Sequence, residues 1–221
     1  MENVSQLEEK IVNTEPIYFE SIEKLADVRE NLSKLDIDRH LLGVIRPFLI
    51  QWGTMARVVG QEGLNWVGYG QKLRDLEPEF AKLRGKRFLT ADFNEEFVSN
   101  AIKTIYGELK RIPELGGPTV ISKVLHLLNP EIFVMWDGNI RKAYRVKNRH
   151  LGEFAEGYLE FLEEAQREIK EAFSDYQKGS KKDFDEIEKE VRSKFKNKTL
   201  ARIVDEYNYI TYTLSLNMNV R

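Results

Sequence analysis

The chain has 221 residues, 36 of them acidic and 34 basic, for a formal net charge of −2, and it contains no cysteine. A disulfide-stapled secreted domain and a cysteine-built zinc centre are therefore excluded, and three histidines leave little for an imidazole metal site. Charged residues make up 32% and hydrophobic residues 42%, which excludes a disordered chain, and the near-cancelling charges argue against a globally basic nucleic-acid coat. No apolar run approaches the ~18 residues of a membrane span, and the acid-bearing start (Glu2, Glu8, Glu9) lacks the basic-then-apolar pattern of a signal peptide. The expectation is a cytoplasmic (or nucleoid-associated) globular protein without membrane, metal or cofactor.

The chain reads as helical almost throughout. Val4–Val12 is a short helix or arm. Ser21–Leu32 is amphipathic, with Ile22, Leu25, Val28 and Leu32 on one face and Ser21 as its cap. Asp38–Val59 is apolar over most of its circumference and belongs in the core, with Pro47 kinking or splitting it. Gly60–Gly70 is rich in glycine and reads as a turn or loop carrying Trp66 and Tyr69. Gln71–Leu83 is a helix interrupted near Pro78, Gly85–Asp92 a connector, and Asn94–Lys110 a helix. Further on, Phe154–Phe173 is a long charged helix, Gln177–Lys182 a polar turn, Phe184–Phe195 a helix, and Thr199–Leu216 a helix with an aromatic, apolar face. The strand-like run Ile132–Trp136 is too isolated to build a sheet. The fold class is all-α.

Ile112–Val146 is the least ordinary stretch. Pro113 and the pair Gly116–Gly117 force a tight hairpin after the Asn94–Lys110 helix. Pro118 suits the first position of the next helix, Thr119–Leu128, which is apolar on nearly every side and is stopped by Asn129–Pro130. A short apolar segment then delivers Trp136 and Asp137 to the start of another helix. A hairpin followed by a helix N-terminus presents backbone N–H groups suited to a phosphate oxygen. Asp137 reads either as a helix cap or buried arginine partner, or as a carboxylate facing a cleft. From Gly138 to Gly152 the bases Arg141, Lys142, Arg145, Lys147 and Arg149 stand with no acid among them, a local patch that suits phosphates or a solvated helix face.

This stretch resembles the helix-hairpin-helix DNA glycosylase superfamily, the endonuclease III-like base-excision enzymes. Ile112-Pro113-Glu114-Leu115-Gly116 stands where that family has Leu-Pro-Gly-Val-Gly, and Asp137 stands where it has an essential aspartate. Phe48-Leu49-Ile50-Gln51-Trp52 is similar to the end of a family helix whose glutamine lies near the DNA cleft. The matches cover about a third of the chain. The departures are Glu114 for the first hairpin glycine, and Pro118 where bifunctional members carry a Schiff-base lysine. Lys123 lies more than a helical turn beyond, and without cysteine there is no iron–sulfur cluster.

The resemblance implies two helical lobes around a cleft. One is discontinuous, residues 1–37 with 129–221; the other, 38–128, ends in the helix-hairpin-helix. The alternative is one compact unit. It implies a monofunctional DNA glycosylase-like protein acting on damaged double-stranded DNA, with Asp137 catalytic. Leu115, Gly116, Gly117, Thr119, Arg141, Lys142, Arg145 and Lys147 would hold DNA, and Gln51, Trp52 and Trp136 would form a base pocket or wedge. Read from the residues alone, core packing is preferred over base stacking for the tryptophans Trp52, Trp66 and Trp136, and a satisfied core histidine is preferred for His126. The alternative function is a non-catalytic DNA-binding or protein-interaction module on the same scaffold.

Overall fold

The computed structural model describes residues 16–52, 64–113, 115–144, 155–196 and 198–214. Every regular element among them is helical. In chain order these are α1 (16–24), α2 (Ala26–Glu30), a 3-10 turn (Leu32–Lys34), a π-helical stretch (Ile37–Ile45) running into α3 (Arg46–Gln51), α4 (Trp66–Asp75) and α5 (Glu77–Leu83). They continue as α6 (Glu96–Lys110), α7 (Pro118–Leu128), α8 (Gly138–Tyr144), α9 (Ala155–Ser180), α10 (Phe184–Lys194) and α11 (Leu200–Asn208), which passes into a second π-helical stretch (Tyr209–Leu214). The expected arm Val4–Val12 lies outside the described residues.

α7 is the axis of the core. Every residue from Val120 to Leu128 is buried, including Ser122, Lys123 and His126. Each fully buried Leu, Ile or Val contributes about 1.5–3 kcal/mol. Behind α7, rings from α6, α8, α9 and the 129–137 strap pack on one another, one pair stacked and the others tilted or edge-on. Tyr106–Tyr158 centroids are 5.1 Å apart, Trp136–Tyr158 5.0 Å, Trp136–Phe161 4.9 Å and Tyr144–Phe161 5.0 Å. The buried apolar residues form one continuous cluster from Tyr18 to Val204, through both of the expected lobe segments.

Several local expectations are corrected. Ser21 is no cap: it lies buried inside α1, and the chain only loosens at Leu25 before α2. Gly68 and Gly70 are helical, in the α4 that begins at Trp66. A Cβ at Gly70 would stand 2.6 Å from Leu41 Cδ1, so this glycine serves close packing of α4 on the π-helical stretch. Helix α9 runs through Gly179 to Ser180 and ends where Lys181 adopts a positive φ of 57°. A capping box between Asp183 and Glu186 then starts α10.

Pro47 does interrupt its helix. It has no N–H to return to the carbonyl four residues earlier, and just before it the ladder widens, with Arg46 N donating to Leu41 O. Residues 132–136 have no strand partner among the described residues and form the irregular strap.

Candidate functional site

The hairpin between α6 and α7 is closed by its own backbone. Gly116 N donates to Ile112 O at 2.8 Å, and Leu115 N to Pro113 O at 2.6 Å. Leu115 and Gly116 are buried, so Leu115 acts as a core anchor, and any DNA contact at this turn falls to backbone groups. Gly117 caps α7 without a side chain, leaving the first turn of that helix with no side-chain acceptor, next to a half-buried Thr119.

The polar face of α7 is built from Thr119, Ser122, Lys123 and His126, at helical neighbour spacing. Ser122 Oγ holds both backbone groups of Trp136: it donates to the carbonyl and accepts from the N–H, each at 3.2 Å. His126 Nδ1 lies 2.6 Å from Phe133 O and Nε2 lies 3.1 Å from the Tyr18 hydroxyl. Burial pushes the His126 pKa down to about 3, so the ring is neutral. A neutral ring beside a carbonyl carries its proton on Nδ1 and accepts from Tyr18 at Nε2. The reading of His126 as a satisfied core residue is the one its contacts describe.

These bonds set the register that delivers Asp137. Its Oδ1 accepts from Asn139 N (2.8 Å) and Ile140 N (2.9 Å), capping α8, and its Oδ2 accepts from Thr213 Oγ1 at 2.6 Å. Asp137 is half-buried. Arg141, one turn into α8, reaches back to the Asp137 carbonyl through Nε at 3.4 Å and lies 5.9 Å from the Trp136 ring centre.

Facing α7 from the other side are Trp52, at the end of α3, and the acid-bearing face of α11. Lys123 Nζ donates to the Trp52 carbonyl at 2.8 Å and lies 5.9 Å from the centre of its indole. Arg202 stacks on Trp52 at 4.3 Å and on Tyr18 at 4.8 Å, and pairs with Asp205 and with Glu206 (2.7 Å). Lys198 adds a 2.8 Å bond to Glu206. Burial raises the Asp205 carboxyl to about 7, against the pull of Arg202. Burial lowers the Lys123 amine to about 8, although Asp205 and Asp137 favour its charged form.

The expected site residues thus separate. Asp137 is brought towards Trp52 and Lys123, and Gln51 is exposed at the end of α3. Trp136 is a correction: it is 1% exposed, packed among Tyr158 and Phe161, with its Nε1 donating to Pro118 O at 3.2 Å. No face is left on which a base could stack. Lys142 is exposed on α8; Arg145 and Lys147 lie outside the described residues.

Sequence reasoning missed Asp205, Arg202 and Thr213. The available signal was a pair of acids, Asp205–Glu206, on a helix otherwise read as apolar and aromatic. A separate groove of about 940 Å³ runs along α9, past Glu160, Glu163, Glu171 and Asp175, away from Asp137. Its acids outnumber the bases Arg167, Lys170 and Lys178 that also line it, which does not favour phosphate. Among the described residues no helix is long and apolar enough to cross a membrane, and no His/Cys/Asp/Glu group could hold a metal ion. No family model, curated protein or solved structure matches the chain.

Proposed function

We propose that this protein binds duplex DNA carrying a damaged base and hydrolyses its N-glycosidic bond. The observation that supports this reading is one connected unit. A helix-hairpin-helix turn closed at Gly116 leads through the buried α7 and the strap to a half-buried aspartate at the first turn of α8, within electrostatic reach of Lys123, which is hydrogen-bonded to Trp52. In this reading the target base leaves the stack. Asp137 stabilises the positive charge that develops on the sugar, or takes a proton from the attacking water. Exposed Gln51 fills the vacated space, Trp52 lines the pocket, and the α7 N-terminal amides with Arg141 and Lys142 hold phosphates. Arg145 and Lys147 extend the basic run in sequence.

The test is abasic-site formation on duplexes carrying a panel of damaged bases. Wild type is expected to release base from at least one lesion. Asp137→Asn is expected to lose roughly 100-fold or more in rate while keeping its DNA affinity. A wild-type protein that releases no base from any lesion overturns the hydrolytic reading.

One observation favours a second reading. Both Asp137 oxygens are engaged, one by two amides and one by Thr213, as a structural cap requires. A non-catalytic DNA-binding module would show salt-dependent binding without base release. Binding with a log K against log [salt] slope near zero would remove phosphates from both readings and leave a protein-interaction module.

A further inference from the structure

Capping α8 uses only one oxygen of Asp137, and the other is held from a distant part of the chain. Oδ1 accepts from the amides of Asn139 and Ile140, donors that a helix start leaves open. Oδ2 accepts from the Thr213 hydroxyl at 2.6 Å, across 76 residues of sequence. Thr213 is 8% exposed, on the π-helical stretch that follows α11. The end of α11 and this stretch are also docked on the far end of α8. The Tyr212 ring meets the Tyr144 ring edge-on at 5.8 Å, and Asn208 Oδ1 lies 3.1 Å from the Tyr144 hydroxyl. The Thr213 hydroxyl therefore reaches Asp137 from a fixed base. Tyr209, four residues earlier and 40% exposed, also lies within electrostatic reach of the carboxylate. A carboxylate offers about four acceptor positions, shared between its oxygens. In Asp137 the two amides fill those of Oδ1 and Thr213 fills one on Oδ2. The remaining position on Oδ2 has no hydrogen-bond partner among the described residues, and the rotation of the carboxylate decides where it points.

We propose that Thr213 is a positioning residue for Asp137. This role rests on the hydrolytic reading above, in which the carboxylate faces the sugar or the attacking water. The amide bonds alone hold one oxygen and let the other swing about it. The Thr213 bond stops that swing and keeps the open side of Oδ2 turned in one direction, towards the reacting atoms. A group that stabilises charge developing at one atom, or takes a proton from one water, works only from a fixed position, and misplacing it costs rate rather than binding. Thr213 touches neither base nor phosphate in this scheme and acts through Asp137. The DNA contacts belong to the α7 N-terminus, Arg141 and Lys142, so affinity does not depend on it.

The experiment measures single-turnover base release and DNA affinity of the full chain on the lesion duplex that the wild type processes. Thr213→Val keeps the shape and removes the hydroxyl. It is expected to slow base release about tenfold, the effect of losing one hydrogen bond to a charged group, with DNA affinity unchanged. Thr213→Ser, which keeps the hydroxyl, is expected to restore the rate. In the Asp137→Asn background Thr213→Val is expected to slow the reaction no further, because the group it positions is gone. Thr213→Ala, which adds no bulk, repeats the reading where the valine does not pack. A Thr213→Val rate equal to or above that of wild type overturns the proposal, as does a rate that serine fails to restore. So does a loss that is equally large in the Asp137→Asn background, or one that appears in affinity instead of rate; each leaves the hydrolytic reading standing. A wild type that releases no base from any lesion overturns both.

Discussion

Gly116→Ala is expected to destabilise the protein by about 3 kcal/mol, or roughly 6–12 °C in Tm for a chain of this size. The cause is space. A Cβ on Gly116 would lie 2.4 Å from Lys110 O and 2.6 Å from Ile112 O, both backbone atoms at the end of α6. Neither can move without unwinding that helix end, and Ile112 O also receives the Gly116 N–H at 2.8 Å. Gly107→Ala is the matched control, because nothing lies within 4 Å of a Cβ there. In the interior of α6 it is expected to stabilise by about 0.5–1 kcal/mol. Thermal or urea unfolding of the two variants beside wild type checks the contrast. Equal stability of all three would show that the hairpin opens at little cost and does not register α6 on α7. If the hairpin presents backbone to DNA, Gly116→Ala also weakens DNA binding, whereas Gly107→Ala leaves it intact.

The helices flanking this hairpin are readable in the sequence because their ends are marked by residues with a single backbone use. Pro118 begins α7 and Asn129–Pro130 ends it, as their chemistry requires. Glycine is ambiguous by comparison. Gly68 and Gly70 read as loop because glycine weakens a helix, yet Gly70 is helical and Leu41 occupies the space its side chain would need. That reason lies nearly 30 residues away in sequence and leaves no local trace. Gly179 inside α9 is the same misreading without a contact to explain it, since nothing lies within 4 Å of its Cβ position. The break at Pro47 is legible, but the π-helical form of the preceding stretch depends on how Asp36 O shares its acceptor between His40 N and Leu41 N.

The candidate site divides in the same way. The capping role of Asp137 follows from its place between an apolar run and a helix, and the two amide bonds to Oδ1 match it. Trp136, next to it, points into the core instead, because the ring cluster on α6 and α9 receives it and Pro118 O takes its one donor. The surroundings of Lys123 could not be read locally. Its hydrogen-bond acceptor is 71 residues earlier and the charges that act on it lie on α8 and α11. Lys123 looks like a solvated charge in an apolar helix until α11 closes over it, and only then does a surface-type residue become a buried amine.

His126→Phe is expected to cost about 2–4 kcal/mol near neutral pH, the larger part from the carbonyl it leaves unpaired and the smaller from one lost bond to Tyr18. The imidazole joins the Tyr18 hydroxyl to Phe133 O inside a fully buried site; phenylalanine fills the volume, takes away the partner of Phe133 O and leaves Tyr18 only its hydrogen bond with Thr199. Each unpaired buried group costs about 1–3 kcal/mol. The effect must shrink in acid. His126 holds a pKa of about 3 in the fold, below its ordinary value, so between those two pH values the unfolded chain binds a proton that the folded one refuses. Wild-type stability therefore falls as the pH drops through that window, and the variant, having no imidazole, is spared this loss. At about 1.4 kcal/mol per pH unit, the gap between the two proteins is expected to narrow by roughly 2 kcal/mol from pH 7.5 to pH 5. Asp205 works in the opposite direction, since its raised carboxyl binds a proton in the fold before it does in the unfolded chain and so favours the folded state as the pH falls below about 7. It is common to both proteins and cancels in their difference. Denaturant unfolding of wild type and His126→Phe at both pH values measures that difference, and a gap that stays constant would place a charged histidine in the core.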